Sequence, residues 1–344
     1  MTRLKSAKKR PTSQDVADLA GVSVTTVSFV INDKSGGNIR ISEATRRKVW
    51  EAVEALNYRP SSAARALRTR RSHLLALVLP HLQTSYHPLL AAAVQKAAKQ
   101  KNFDIIIYTT QNDFQAEKDL LNTVLSRGVD GAIIHSVQQS SNDIEALVEA
   151  GISVVVHGNE PTHPFADNVM IDEVKAVEDI VSYLIGKGHV RIAIITGSVS
   201  TWVGRLRKEG YLNALRAHGI PIEDDLIYEA DFWTRGAGSR GMEKLLTLSE
   251  PPTAVFGASD PLAAEALLVA LDSGLSVPKD IAIAGIDDTP EATMVRPRLT
   301  TVHKDVNLLG ATAAQLLMER IESPNLLSAR QLILSHQIVY RESV

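Results

Sequence analysis

The chain has 344 residues, 44% of them hydrophobic, with 37 Lys/Arg against 39 Asp/Glu and no cysteine. That is room for a small domain plus one or two larger ones with ample cores. It excludes disulfides and thiolate chemistry, and it fits a cytoplasmic protein. The near-neutral total hides a division, because residues 1–71 hold 15 Lys/Arg and 6 Asp/Glu (+9) and the rest hold 22 and 33 (−11). A basic head on an acidic body points to a nucleic-acid-binding module joined to a domain with another task. No apolar run reaches about 18 residues, so no helix is expected to span a membrane, and the first residues lack the apolar stretch of a secretory signal.

Residues 1–11 read as a basic disordered arm, lying near phosphates or simply a solvated charge run. The stretch Thr12–Asn32 then reads as two short helices joined at Gly21-Val22, the layout of a helix-turn-helix. Thr12 and Asp15 form an acidic capping box. Val16, Leu19 and Ala20 make an apolar face, Gly21 supplies the positive φ of the turn, and Ser23 caps the second helix. Val27 and Val30 pack inward, which leaves Val24, Thr25, Ser28 and Phe29 facing out. With caps and ends included, the candidate DNA-contacting set is Thr12, Ser13, Ser23, Val24, Thr25, Thr26, Ser28, Phe29 and Asn32. A third helix capped by Ser42 is lined by Val49, Val53 and Leu56, so the DNA-binding domain spans 12–57. Residues 58–71 follow as a linker. Its helix-prone run after Pro60 is too short to be stable alone, so it should become helical only when held.

From Leu74 the texture becomes alternating short apolar strands and amphipathic helices. The strands are Leu74–Leu79, Asp104–Tyr108, Gly131–His135, Val154–His157, Arg191–Thr196, Ala254–Gly257 and Ile281–Ile286. The helices include Leu89–Gln100, Ala116–Ser126, Glu173–Lys187, Arg205–His218 and Pro261–Ser273. This predicts an all-α three-helix head and an α/β core of two doubly wound parallel-sheet subdomains. The expected subdomains are 72–172 with 304–331, and 173–303 with 332–344. Ligands of such sheets sit beyond the carboxyl ends of the strands. The cleft would then be lined by His81–Tyr86, His135–Ser136, His157–Asn159, Gly197–Arg205, Ser259–Asp260 and Asp287–Asp288.

Two patterns argue for little. Gly236–Gly241 matches G-x-G-x-x-G, but no buried strand precedes it, so a helix-start loop is the better account. The ten histidines show no metal-ligand spacing, and no nucleophile elbow or phosphate loop occurs. His189 is expected to serve a helix-to-strand turn.

The motifs D-V-A-D-L-A-G-V-S-V-T-T-V-S (Asp15–Ser28), L-N-Y-R-P-S-S-A-A-R-A-L (Leu56–Leu67), G-H-V-R-I-A-I-I-T-G (Gly188–Gly197), S-D-P-L-A-A-E-A-L (Ser259–Leu267) and V-P-K-D-I-A-I-A-G-I-D-D (Val277–Asp288), with R-P-R-L-T-T-V (Arg296–Val302), resemble the LacI/GalR family over nearly the whole chain. The resemblance implies a homodimeric transcription regulator, a repressor, whose sensing domain is like periplasmic sugar-binding proteins and which binds palindromic operator DNA at the nucleoid. It implies that Val24 and Thr25 meet base edges. Phe29 stands where the family usually has arginine, so apolar contact replaces a bidentate reading of guanine. Leu67 falls at the family's minor-groove wedge, with Ala63, Ala64 and Ala66 small enough for two linkers to approach. Ala64 and Leu67 therefore join the DNA set. For a small polar effector, a carbohydrate or related metabolite, the resemblance implies contacts from Arg205 and Asp287. Ser259 stands at a frequent asparagine position beside Asp260. Gly158 and Asn159 occupy places that often hold aspartate and arginine, which removes one usual hydroxyl acceptor. Phe232 or Trp233 would supply an aromatic platform, and His81, Tyr86, His135 and His157 complete the effector set. No cofactor is implied. An enzyme on a doubly wound scaffold, a transport-type binding protein and an architectural DNA-binding protein are the competing readings.

Overall fold

The protein is described by a computed structural model covering residues 11–31, 41–60, 66, 71–135, 141–158, 164, 166–231, 233, 235–323 and 328–344. Asn32, Ala64 and Leu67 of the DNA set, and Ser136, Asn159 and Phe232 of the cleft set, lie outside the described residues. The chain divides into two compact units, Met1–Ser72 and His73–Val344.

The first unit holds α1 (Ser13–Ala20), α2 (Val24–Ile31) and α3 (Glu43–Ala55). Thr12 caps α1 by the expected reciprocal pair: its hydroxyl accepts from the Asp15 N–H at 3.3 Å, and its own N–H donates to the Asp15 carboxylate at 2.7 Å. Gly21 adopts φ 66°, where a Cβ would be strained, and its N–H closes the helix on Ala17 and Asp18. Ser23 accepts from the Thr26 N–H at 3.1 Å and starts α2. The chain bends by 103° between α1 and α2, within the roughly 90–120° of a helix-turn-helix. Val16, Ala17, Val27, Val30, Val49 and Ala52 form the buried core. Leu19 is a correction: it is 57% exposed, and Ala17 takes the buried place one hundred-degree step from Val16.

The second unit contains two six-stranded sheets. The first is built from β1 (Leu74–Leu79), β2 (Asp104–Thr109), β3 (Gly131–His135), β4 (Ser153–His157), β5 (Asp167–Ile171) and β11 (Gln331–Leu334) in the order β2-β1-β3-β4-β5-β11, all parallel. The second uses β6 (Ile192–Thr196), β7 (Ile227–Glu229), β8 (Ala254–Gly257), β9 (Ala282–Asp287), β10 (Thr300–Lys304) and β12 (His336–Val339) in the equivalent order β7-β6-β8-β9-β10-β12. Only the last pairing there, β10 with β12, is antiparallel. Each order reverses beside its first strand, which opens a switch point at the carboxyl ends.

Helices cover both faces of each sheet, as fully apolar parallel strands require. In the first subdomain α4 (Tyr86–Gln100) and α12 (Val306–Glu322) bury Leu90, Val94, Leu309 and Leu317 against Leu77, Ile133 and Val155. The other face carries α5 (Phe114–Ser126) and α6 (Ser141–Glu149). In the second, α7 (Glu173–Gly186) and α8 (Trp202–Ala217) cover one face, and α9 (Ala237–Leu246) and α10 (Asp260–Asp272) the other. A short α11 (Glu291–Met294) follows β9. Full burial of each such aliphatic side chain contributes about 1.5–3 kcal/mol.

The chain crosses between subdomains three times: from β5 to α7, from β10 to α12, and at Ser335 between β11 and β12. The last crossing lies later than the expected 331/332, because residues 331–334 pair with β5. Strands β5, β7, β10, β11 and β12 add to the seven expected runs.

Candidate functional site

In the head, Thr12, Ser23, Thr25 and Ser28 are exposed, and Ser13, Thr26 and Phe29 are half-buried. Val24, expected outward, is drawn partly onto the head's core beside Ala20 and Val22. The outward face of α2 therefore offers small hydroxyls and one aromatic ring, with no cation of its own among the described residues. That is a surface for base edges and methyl groups, and phosphate attraction must come from elsewhere in the basic segment.

Between the two subdomains of the second unit lies a cavity of about 100 Å³. It collects His81, Tyr86, His135, His157, Trp233, Ser259 and Asp287 from the expected set. His81 follows β1, His135 and His157 end β3 and β4, and Asp287 ends β9. These are the strand-end positions where the fold aims side chains into a crevice.

Two members are corrected. Arg205 is exposed; its guanidinium bonds the Ser200 carbonyl at 2.9 Å and lies 5.5 Å from the Trp202 ring. Arg207, two residues later, faces the cavity from the buried side of α8 together with Gly210, Tyr211 and Ala214. Asp260 does not line the cavity. It is fully buried behind it, accepting from the Thr289 N–H at 2.7 Å and the Thr301 hydroxyl at 2.5 Å, and burial pushes its carboxyl well above the usual carboxylate range.

Sequence reasoning also missed Glu173, Lys304 and His87. Glu173, Arg207, Asp287 and Lys304 form a buried quartet of two acids and two bases. Arg207 donates to Glu173 at 2.7 Å and to Asp287 at 3.0 Å. Lys304 reaches Glu173 at 2.8 Å and Asp287 at 2.6 Å. Burial opposes the charge on Glu173, yet Arg207 and Lys304 outweigh it and hold the carboxyl down to about 2. Burial likewise opposes the Arg207 charge, and Asp287 and Glu173 overcome it. Asp287 itself sits at φ 113°, and Asp288 follows at φ 53°, strained backbone of the kind found at ligand clamps.

The opposite wall is aromatic. His81, His87, His135 and His157 meet edge to face in a chain, with ring centroids 4.5, 5.0 and 4.6 Å apart. Burial lowers all four pKa values, that of His87 to about 3 and that of His157 to about 4, so the wall is uncharged at neutral pH. The His157 Nδ1 faces the Val169 carbonyl at 2.9 Å and must carry the proton; its Nε2 then accepts from the Tyr86 hydroxyl at 2.9 Å. Trp233 lies against Gly197, where a Cβ would come within 2.4 Å of the indole, and the Arg207 guanidinium is 5.4 Å from its ring centre. Only glycine at 197 lets the ring settle there.

Among the described residues no three His, Asp or Glu side chains could hold one metal ion. The G-x-G-x-x-G loop is no phosphate cradle either. Its Gly236 and Gly238 N–H groups donate to the Glu265 carboxylate at 2.7 and 2.9 Å, so the chain's own anion fills that helix start. His189 bonds the Thr253 hydroxyl at 3.0 Å in the turn before β6.

Comparison with known proteins matches a stretch of each of the two units. Residues 12–61 match the family described as bacterial regulatory proteins, lacI family, and residues 181–344 match the periplasmic binding protein-like domain. The chain is 34% identical to catabolite control protein A of Priestia megaterium, over 96% of this chain and 98% of that protein. It is 33% identical to the ribose operon repressor of Escherichia coli (strain K12), over 93% and 96%. Among solved structures, the lac repressor dimer bound to operator and the anti-inducer ONPF is similar with a TM-score of 0.85 at 27% identity, covering 97% of this chain and 99% of that one. The complex of the transcriptional regulator CelR with cellobiose has a TM-score of 0.73 at 31% identity, covering 97% and 100%. With a capped helix-turn-helix, two doubly wound subdomains around a polar cleft and relatives alike over their full length, the chain belongs to the lacI family of bacterial regulatory proteins.

Proposed function

We propose that this transcriptional regulator works as a homodimeric repressor at the nucleoid. Each protomer sets its α2 into a half-site of a palindromic operator, and a small polar effector in the cleft, a carbohydrate or related metabolite, adjusts operator affinity. The chain is a regulator and not an enzyme, as its relatives are. The observation that carries the reading is the position of the quartet. Glu173 starts the helix after the first crossing and Lys304 ends the strand before the second, and both line the cavity. A ligand that competes for their bonds acts directly on the segments about which the subdomains close. Affinity for effector and for operator are then linked through one closure equilibrium, and a differential of about 3 kcal/mol would change operator affinity roughly a hundredfold. The solved relatives add support: one was captured with cellobiose and another with operator and an anti-inducer together.

The test selects an operator from random DNA with the full chain, then measures its affinity across a panel of sugars and related metabolites. Some member should shift operator affinity, and Trp233→Ala should bind operator normally while losing that shift. No response to any member, or an unchanged response in Trp233→Ala, would refute the cleft as the control site.

A further inference from the structure

Given an effector cleft whose closure is linked to operator affinity, as read above, the contacts that cross it decide how readily it closes. Two of them come from the start of α4. The Tyr86 ring of the first subdomain lies 5.2 Å from the Lys304 ammonium of the second. Beside it, the Ser85 hydroxyl donates to the Glu291 carboxylate at 2.6 Å, the length of a charge-assisted O–H···O⁻ bond. Ser85 stands at the N-cap of α4, where a serine ordinarily accepts from the helix's own N–H groups. Here its backbone is helical, with φ −67° and ψ −26°, and its side chain accepts no such bond. The hydroxyl is committed to the other subdomain instead.

Glu291 begins α11, and fully buried Ala292 beside it anchors that turn in the core of the second subdomain. A fixed element therefore carries the carboxylate. Its other oxygen, Oε2, is buried with no hydrogen-bond partner among the described residues, so the contact with Ser85 carries the group's hydrogen bonding across the cleft. Opening the cleft returns both partners to water, which offsets much of the bond's strength. The contact biases closure without locking it. Neither residue lines the cavity, yet each sits on a segment that does. Ser85 precedes Tyr86, and Glu291 follows the Asp287 corner that Asp260 holds through Thr289. A ligand that displaces Tyr86 or Asp287 pulls on the bond as it binds.

We propose that the Ser85–Glu291 hydrogen bond is a latch across the cleft. It biases the subdomains toward closure with the chain's own groups, and so sets operator affinity before any effector binds. Ser85 and Glu291 are positioning residues, which act on the effector response through Tyr86 and Asp287.

Nitroxide labels on Asn122→Cys and Glu243→Cys, exposed positions on α5 and α9 of a chain with no cysteine of its own, read the opening between subdomains. Labelled full-length protein is mixed with excess unlabelled protein, so that each dimer carries one labelled protomer, and double electron–electron resonance gives the distances without effector. Ser85→Ala and Glu291→Ala should each move the closed-to-open ratio about tenfold toward open, equivalent to ~1.4 kcal/mol. Both changes together should do no more than either alone, since they break the same bond. Ser85→Thr keeps the hydroxyl and should restore the closed distance. Operator affinity without effector, read by fluorescence anisotropy on DNA selected with the full chain, should shift in step with the ratio. An unchanged distance in Ser85→Ala that circular dichroism shows to be folded, or additive effects of the two variants, overturns the latch and leaves the effector cleft standing. So does a wild-type protein already open without effector. A ratio that moves while operator affinity does not overturns both the inference and the closure linkage beneath it.

Discussion

Lys304→Met is the most direct test of the buried quartet. The ammonium contacts Glu173 at 2.8 Å and Asp287 at 2.6 Å, and Lys304 is only 2% exposed. Methionine fills much of the same volume, so the change removes charge more than packing. Glu173 and Asp287 then share Arg207 alone, and one negative charge is left buried without an answer. Breaking a buried pair in this way costs about 3–5 kcal/mol, since the surviving ion keeps its desolvation penalty. For a unit the size of residues 73–344, each kcal/mol lowers the melting temperature by roughly 2–4 °C, so the expected fall is on the order of 10 °C. Adding Glu173→Gln should reverse part of the loss, because Arg207 and Asp287 then balance each other. The assay is urea unfolding of the full chain without effector, for wild type, both single variants and the double variant. A Lys304→Met cost below about 1 kcal/mol, or a double variant no better than the sum of the singles, would refute the reasoning.

Acid should destabilise the protein earlier than carboxylates alone explain. His87 and His157 stay uncharged down to about 3 and about 4, against ~6.5 in the unfolded chain, so below pH ~6.5 the unfolded state binds more protons and stability falls as pH drops. The slope is about 1.4 kcal/mol per pH unit for each histidine; His87→Phe should flatten it by one such step, and a melting curve indifferent to pH between about 6.5 and 4 would contradict the neutral wall. Gly197→Ala places a Cβ within 2.4 Å of the Trp233 ring and should weaken effector binding while leaving operator affinity intact, as read by calorimetry and fluorescence anisotropy. Phe29→Arg should change the operator recovered from random DNA, because a bidentate donor replaces an apolar ring at a cost or gain of about 1–3 kcal/mol at that base; an identical selected site would remove Phe29 from the interface.

What was legible in the sequence is what depends on near neighbours. The Thr12 and Ser23 caps act over three residues, and the Gly21 turn over one, so the head could be read from its text. The strands beginning at Leu74 and Ala254 are apolar throughout, and that at Gly131 is apolar up to its last residue, His135, so all three announce a covered parallel sheet. Less legible were edge and return strands such as β11, where exposed Leu332 and Ile333 give no inward pattern. Arg205 and Arg207 share one helix and one chemistry; the period running through Gly210, Tyr211 and Ala214 selects Arg207, and that local signal was available. The partners of Lys304 were not. Glu173 lies 131 residues away, and nothing local marks a lysine after a β-strand as half of a buried pair.

The two adjacent aspartates connect the cavity to the segments that cross between the subdomains. Asp287 turns toward the cavity and bonds Arg207 and Lys304, whereas Asp288 turns away and accepts from Arg341 and His303. Holding two consecutive non-glycine residues at φ 113° and 53° costs on the order of 1–3 kcal/mol each, and the clamps on either side oppose relaxation. Asp260 completes the hold by accepting from the next residue, Thr289. The clamps also have a common origin. Glu173 follows the first crossing between subdomains, Lys304 precedes the second, and Arg341 follows the third. Every crossing thus delivers one charged side chain to the Asp287–Asp288 corner or to its immediate partners. Coupling between ligand and subdomain closure then needs no relay of intermediate residues, the kind of pathway that is hardest to establish. A ligand that draws Asp287 away from Lys304 changes the balance of forces on a crossing in the same step in which it binds.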